Sequence, residues 1–243
     1  MDSSPATAVI FDLDGTLVDS EPSYYEAGRR LLAAHGVPEF TWREHEEFIG
    51  ISTRETIRTL RERHGINASV EQLLSEKNEL YLRLARSTRV FPEMRVLLEE
   101  LHAAGCPAAV ASGSSAAAIE AVLTGAGLDA LLPVRVSAEE VARGKPEPDV
   151  FLEAARRLGT DAAGCVVLED APPGAEAARR AGMRCVAVPY LPQSAGDPAF
   201  ASAGLLFAGG QDEFDARRTF DWITGGGVPD APDLAGPGRE GAP

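Results

Sequence analysis

Apolar residues in this chain gather into short continuous runs. Residues 8–11, Ala-Val-Ile-Phe, form one that stops abruptly at Asp12. A run of that length without alternation reads as a strand buried on both faces, as in parallel sheets. Similar runs recur at 108–111, 132–136, 166–168 and 185–188. Between them, apolar positions recur at helical spacing over 94–104, 115–124, 149–158 and 174–181. Strands alternating with helices predict βαβ units and a doubly wound, Rossmann-like parallel α/β sheet. An edge strand at 204–207 and a last helix at 214–223 complete the pattern.

Residues 22–89 break the alternation. Helical patterns cover 23–35, 42–48, 53–64 and 70–87, with no convincing strand, and Gly36, Gly50 and Gly65 supply helix stops. The expected organisation is therefore a sheet core of residues 1–19 and 90–224 and an inserted all-helical domain of residues 20–89. Residues 225–243 are rich in Gly and Pro, and a disordered tail is expected there.

Composition narrows the function. The 243 residues are 44% hydrophobic, ample for a core, and carry a formal charge of −14. That sign opposes nucleic-acid binding, which needs cations to displace counterions from phosphates. No apolar run approaches the roughly 18 residues of a membrane span. The first residues lack the basic and apolar regions of a signal peptide. A soluble, cytoplasmic protein that binds neither nucleic acid nor membrane is expected. No large uncovered apolar face is legible, so a monomer is expected as well. Cys106, Cys165 and Cys185 lie far apart without metal-like spacing and read as buried free thiols. Lysine occurs only at Lys77 and Lys145.

In doubly wound sheets ligands bind beyond the carboxyl ends of the strands. Four predicted strand ends carry chemistry. The first gives Asp12-Leu13-Asp14-Gly15-Thr16, two carboxylates suited to a divalent cation or to nucleophilic and acid–base work, though a lone DxD is equally an Asp-capped turn. The second gives Ser112-Gly113-Ser114-Ser115 before a helix, which suits an anion at the helix N-terminus but also describes a plain serine cap. Lys145, between Gly144 and Pro146, can neutralise a phosphoryl oxygen or carboxylate. Glu169-Asp170 ends a buried strand, where paired carboxylates call for compensation that a metal ion supplies, though Asp170 reads equally as the cap of a helix with proline in its first turn. One cation and one phosphoryl group account for all four together.

These segments resemble the haloacid dehalogenase-like hydrolases, in the helical-cap phosphatase and β-phosphoglucomutase-like branch. FDLDGTLVDSEP (11–22), ASGSS (111–115), GKPEPDVF (144–151) and LEDAPPG (168–174) are similar to the four family motifs in order and spacing. The resemblance covers about residues 8–189 and places the helical insert where the family has its cap. It implies Asp12 as a nucleophile forming an aspartyl-phosphate and Asp14 as general acid, then base. It further implies Ser112 and the Gly113 N–H as phosphoryl ligands and Lys145 as the neutralising cation. Mg²⁺ would be held by Asp12, the Asp14 carbonyl, Asp170 and Glu169. Asp14 separates the chain from the family's metal-independent dehalogenases, which lack that carboxylate.

The cap is expected to set the substrate through Thr53, Arg54 and Lys77. Lys77 falls on the position of a phosphate-gripping lysine of β-phosphoglucomutases, whereas Arg54 stands one residue beyond the mutase arginine, at Thr53. Tyr24 occupies the place of a mutase histidine. The expected partner is a small phosphorylated molecule, a sugar or polyol monophosphate, hydrolysed with Mg²⁺. A sugar-phosphate isomerase is the alternative enzyme, and a phosphorylatable receiver-like signalling module the alternative outside enzymes.

Overall fold

The computed structural model of the protein describes residues 7–49 and 51–225. In chain order its strands are β1 Ala8–Phe11, β2 Val18–Asp19, β3 Arg89–Val90, β4 Ala108–Ser112, β5 Val134–Ser137, β6 Cys165–Glu169, β7 Arg184–Ala187 and β8 Leu205–Leu206. Its α-helices are α1 Glu21–Ala34, α2 Trp42–Glu46, α3 Thr53–Arg63, α4 Val70–Ala85, α5 Pro92–Ala103, α6 Ala116–Ala126, α7 Asp149–Leu158, α8 Pro172–Arg180 and α9 Ala216–Thr224.

Six strands form a parallel sheet in the order β5-β4-β1-β6-β7-β8. The chain builds outward from β1 to one side and then crosses to the other, so β1, between β4 and β6, is the switch point. Each residue of β1 is fully buried, and the period of two divides them between opposite faces. Val9 and Phe11 join a cluster with Leu97 and Leu98 of α5, Ile119 of α6 and Ile223 of α9. Ala8 and Ile10 join the other cluster, with Val150 and Phe151 of α7 and Ala175 and Ala178 of α8. This is the doubly wound α/β sheet that the unbroken apolar runs predict.

Helices α1, α3 and α4 assemble around a third cluster of their own, including Leu31, Leu32, Phe40, Ile57, Leu60 and Leu73. Thr41, Ser52 and Ser69 start α2, α3 and α4 by accepting the N–H of the third residue on. Each thereby satisfies a donor that would otherwise be orphaned at a helix start.

The differences from the sequence reading have local causes. β2 and β3 pair antiparallel where the chain leaves for the helices and returns, Val18 facing Val90 and Asp19 facing Arg89. At two residues each, they are too short to show a period. β5 starts at Val134 rather than at 132, beyond Pro133, which has no N–H for a ladder. α1, α5 and α8 start earlier than their apolar stripes because Pro22, Pro92 and Pro172 occupy their first turns. α2 stops at Glu46, short of 48. Gly50 and, apart from Gly225, the expected tail lie outside the described residues.

Leu98→Ala deletes a fully buried side chain between α5 and the sheet. It is expected to destabilise the protein by ~2–5 kcal/mol, read as a lowered denaturation midpoint.

Candidate active site

The carboxyl ends of β1, β4 and β6 deliver Asp12, Ser112 and Glu169 side by side. The Asp12 N–H still donates to Leu168 O at 3.0 Å, so this carboxylate leaves the sheet while its backbone is tied to it. Asp12, Ser112, Glu169 and Asp170 are all buried. Lys145 enters from the loop between β5 and α7. Its Nζ donates to Asp12 Oδ1 at 2.5 Å, to Glu169 Oε1 at 2.6 Å and to Ala111 O at 3.2 Å. The ammonium also lies 4.8 Å from the centre of the Phe151 ring. Its three donors thus tie together the ends of three adjacent strands.

Burial sets the electrostatics. It pushes the Asp12 carboxyl up to about 7 despite the opposing pull of Lys145. Burial opposes the charge on Lys145, but Asp12 and Glu169 outweigh it and hold this group above the ordinary lysine range. Burial, with Glu169 and Asp12 alongside, pushes Asp170 well above the usual carboxylate range. Asp12, Glu169 and Asp170 each offer an oxygen within 4.8 Å of the others. One ammonium leaves three such groups undercompensated, and a hard divalent cation with oxygen ligands fits the deficit.

The backbone is shaped to the cluster. Thr16 Oγ1 donates to Asp170 Oδ1 at 2.9 Å, and the Asp170 and Ala171 N–H groups donate to Glu169 Oε2 at 3.0 and 3.1 Å. Gly15, at φ 83°, passes so close that a Cβ there would stand 2.5 Å from Asp170 Oδ2. A Cβ on Gly174, in the first turn of α8, would stand 1.7 Å from Glu169 Oε1.

Asp14 has different company. Ser112 Oγ and Ser114 Oγ donate to its Oδ2 at 3.1 and 2.6 Å, and the Tyr81 hydroxyl donates to Oδ1 at 3.2 Å. Ser112 is thus joined to Asp14 and to the Ser114 N–H. Gly113 is exposed at the mouth of the cavity, just before α6. Tyr24 reaches Ser114 Oγ at 2.6 Å. Burial and the charge of Asp14 raise the Tyr24 and Tyr81 phenols far above their ordinary value, so both act as neutral hydroxyls.

Asp12, Asp14, Tyr24, Ser112, Ser114, Lys145, Glu169 and Asp170 open on one cavity of about 740 Å³ between the sheet edge and the helices. Its helical wall carries Glu21, His45, Phe48, Thr53, Arg54, Leu74 and Lys77. The three expected specificity residues behave differently. Lys77 is 7% exposed, lies 5.3 Å from the Tyr24 ring centre, and is lowered by burial to about 8. Arg54 is ion-paired to Glu71 at 3.0 Å with its side chain 55% exposed, and Thr53 is exposed at the rim. His45 Nε2 meets Glu21 Oε2 at 2.8 Å in a pair that the sequence analysis did not single out.

The structure therefore gathers Asp12, Asp14, Ser112, Gly113, Lys145, Glu169 and Asp170, with Thr53, Arg54 and Lys77 of the helical insert, around one space. The hydroxyl cage of Tyr24, Tyr81 and Ser114 was not foreseen as a unit. A signal for it exists in α4, where Leu73, Lys77, Tyr81 and Ala85 recur every four residues and all are buried.

Residues 9–188 match the haloacid dehalogenase-like hydrolase family. The chain is 35% identical over 189 residues to the bifunctional riboflavin kinase/FMN phosphatase of Arabidopsis thaliana, covering 77% of this chain and 50% of that one. It spans half the length of that relative. It is 35% identical over 184 residues to the fructose-1-phosphate phosphatase YqaB of Escherichia coli (strain K12), covering 75% of this chain and 96% of that one. Among solved structures, CbbY from Rhodobacter sphaeroides in complex with phosphate is similar at a TM-score of 0.72 and 28% identity, covering 83% of this chain and 93% of that one.

Gly174→Ala improves local helix propensity by up to ~1 kcal/mol yet thrusts a methyl into Glu169. The expected result is at least about tenfold weaker divalent-cation binding by calorimetry, as for a displaced partner of a metal site. The melting temperature should fall as well, because the enclosed Glu169 carboxylate must move aside, so the affinity is measured well below the variant's own transition.

Proposed function

We propose that this chain, which belongs to the haloacid dehalogenase-like hydrolases, is a phosphoric monoester hydrolase and, more narrowly, a Mg²⁺-dependent phosphatase of small sugar or polyol phosphates. The observation that carries the reading is the convergence of Asp12, Lys145, Glu169 and Asp170 at one edge of the sheet. Residues 20–89 serve as the cap over that edge.

Asp12 attacks phosphorus through a carboxylate oxygen. The ester P–O bond breaks, and Asp14 gives its proton to the departing alkoxide. Asp14 then takes a proton from water as that water attacks the aspartyl-phosphate. The bond to Asp12 breaks and inorganic phosphate leaves. Ser112, the Gly113 N–H and Lys145 meet the phosphoryl oxygens, positioning and charge stabilisation being the main requirements of phosphoryl transfer. The carboxylates of Asp12, Glu169 and Asp170 and the Asp14 carbonyl would hold Mg²⁺, which supplies charge neutralisation and Lewis-acid polarisation when bound.

The cavity volume suits a sugar-sized leaving group. Of the basic residues in its helical wall, Lys77 is the better reader of an anionic or hydroxylated group, because it is buried while Arg54 already has Glu71. The same contrast, with Thr53 in the mutase arginine's position, favours hydrolysis over isomerisation. The three cysteines are free and two are buried, in accord with a reducing, cytoplasmic setting. No helix among the described residues is long and apolar enough to cross a membrane.

A phosphometabolite screen with and without Mg²⁺ tests the proposal. Asp12→Asn is expected to fold normally and lose hydrolysis by several orders of magnitude. Substantial residual turnover would remove Asp12 as nucleophile. β-Glucose 1-phosphate yielding glucose 6-phosphate rather than free phosphate would favour the isomerase.

Lys77→Ala is expected to raise KM for sugar phosphates about tenfold or more, whereas Arg54→Ala changes it less than about threefold. Because Lys77 loses its proton above about pH 8, the wild-type KM should climb beyond that pH. The Lys77→Ala profile should stay flat there.

A further inference from the structure

Asp14 is placed to serve as an acid only if its carboxyl is aimed, and its own loop does little of the aiming. Both of its oxygens are instead occupied by hydroxyl donors from elsewhere. Oδ1 takes Tyr81 at 3.2 Å, and Oδ2 takes Ser114 at 2.6 Å and Ser112 at 3.1 Å. A carboxyl held at both oxygens cannot rotate freely about its terminal bond.

The two tyrosines form one rigid unit. Their rings stack with centroids 4.1 Å apart and planes inclined by 15°. Tyr24 stands in α1 and Tyr81 in α4, two helices packed along each other. Tyr81 is 2% exposed, and Lys77 lies over the outer ring, Tyr24, at 5.3 Å. Tyr24 adds an indirect hold through its 2.6 Å contact with Ser114. Stacking fixes the rings, and fixed rings fix the hydroxyls at low entropic cost.

We infer that Tyr81, with Tyr24 acting through Ser114, is a positioning residue that sets the direction in which Asp14 presents its carboxyl to the leaving-group oxygen. The inference rests on the proposed acid–base role of Asp14 and assigns part of that role to the helical insert. The donors are neutral, so they orient Asp14 without adding a formal charge beside it. Lys145 does the opposite for Asp12.

The consequence depends on the leaving group. Proton donation matters most when a basic alkoxide departs and least when the leaving group is a stable anion. The steps up to departure of the first product are reported by kcat/KM. The experiment compares kcat/KM for p-nitrophenyl phosphate, phenyl phosphate and glycerol phosphate, with the whole 243-residue chain and saturating Mg²⁺. Tyr81→Phe keeps the stacked ring and removes one hydroxyl. It should lower kcat/KM for glycerol phosphate about tenfold more than for p-nitrophenyl phosphate, with little change in melting temperature. Tyr24→Phe should show the same trend more weakly, and it decides the matter if Tyr81→Phe does not fold.

Asp14→Asn separates the two levels of the argument. A loss of about a hundredfold or more that grows with leaving-group basicity supports Asp14 as the acid. If Asp14→Asn shows that growth and neither tyrosine variant does, the positioning role is overturned while the acid remains. Equal losses on all three esters in Tyr81→Phe would reduce the hydroxyl to a structural contact. Equal losses in Asp14→Asn would overturn both.

Discussion

A cluster of carboxylates buried beside a single lysine governs the architecture of this protein. Asp12, Glu169 and Asp170 lie within hydrogen-bonding reach of one small volume, and Lys145 bridges two of them. Burying like charges together is costly, so the surrounding fold must hold them there by force of packing. The fully buried β1 and the unbroken apolar runs of β4 and β6 supply that force. The site lies at the switch point of the sheet, and two glycines with no room for a Cβ, Gly15 and Gly174, face the carboxylates themselves.

The two aspartates of the first motif are two residues apart yet inhabit different electrostatic worlds. Asp12 is set against an ammonium in a buried corner, which opposes the upward push of burial. Asp14 is half-buried and ringed by neutral hydroxyls. Distinct surroundings let two chemically identical groups take distinct tasks, in the proposed reaction one as nucleophile and one as proton carrier. The turn at Gly15 makes this possible, because continuing the strand would send both side chains to the same face of the sheet.

Much of the sheet core was legible because burial on both faces leaves strands with no polar interruptions, and the chemistry begins where the interruptions do. Asp12, Ser112 and Glu169 each sit at or just past the last residue of such a run, with Asp170 one residue beyond Glu169. Lys145 was legible for another reason, its rarity in an arginine-rich chain. The helical insert was legible as helices but not as a wall. Arg54 and Lys77 look alike on a sequence, and only three-dimensional packing shows one paired to Glu71 in solvent and the other enclosed. The cage around Asp14 was hidden because its members come from α1, α4 and the β4–α6 loop, and no local spacing relates them. The β2–β3 pair was hidden by brevity.

Helix α4 ties these levels together. Leu73 belongs to the core of the helical insert, whereas Tyr81 and Ala85 belong to a core shared with the sheet. Lys77 and Tyr81 lie one turn apart on that same face, the first lining the cavity and the second touching Asp14. The helix cannot shift its cavity-lining lysine without also shifting the hydroxyl that donates to Asp14. In the proposed reaction, reading of the leaving group and alignment of the proton it needs would therefore be mechanically linked through one buried stripe with a four-residue repeat.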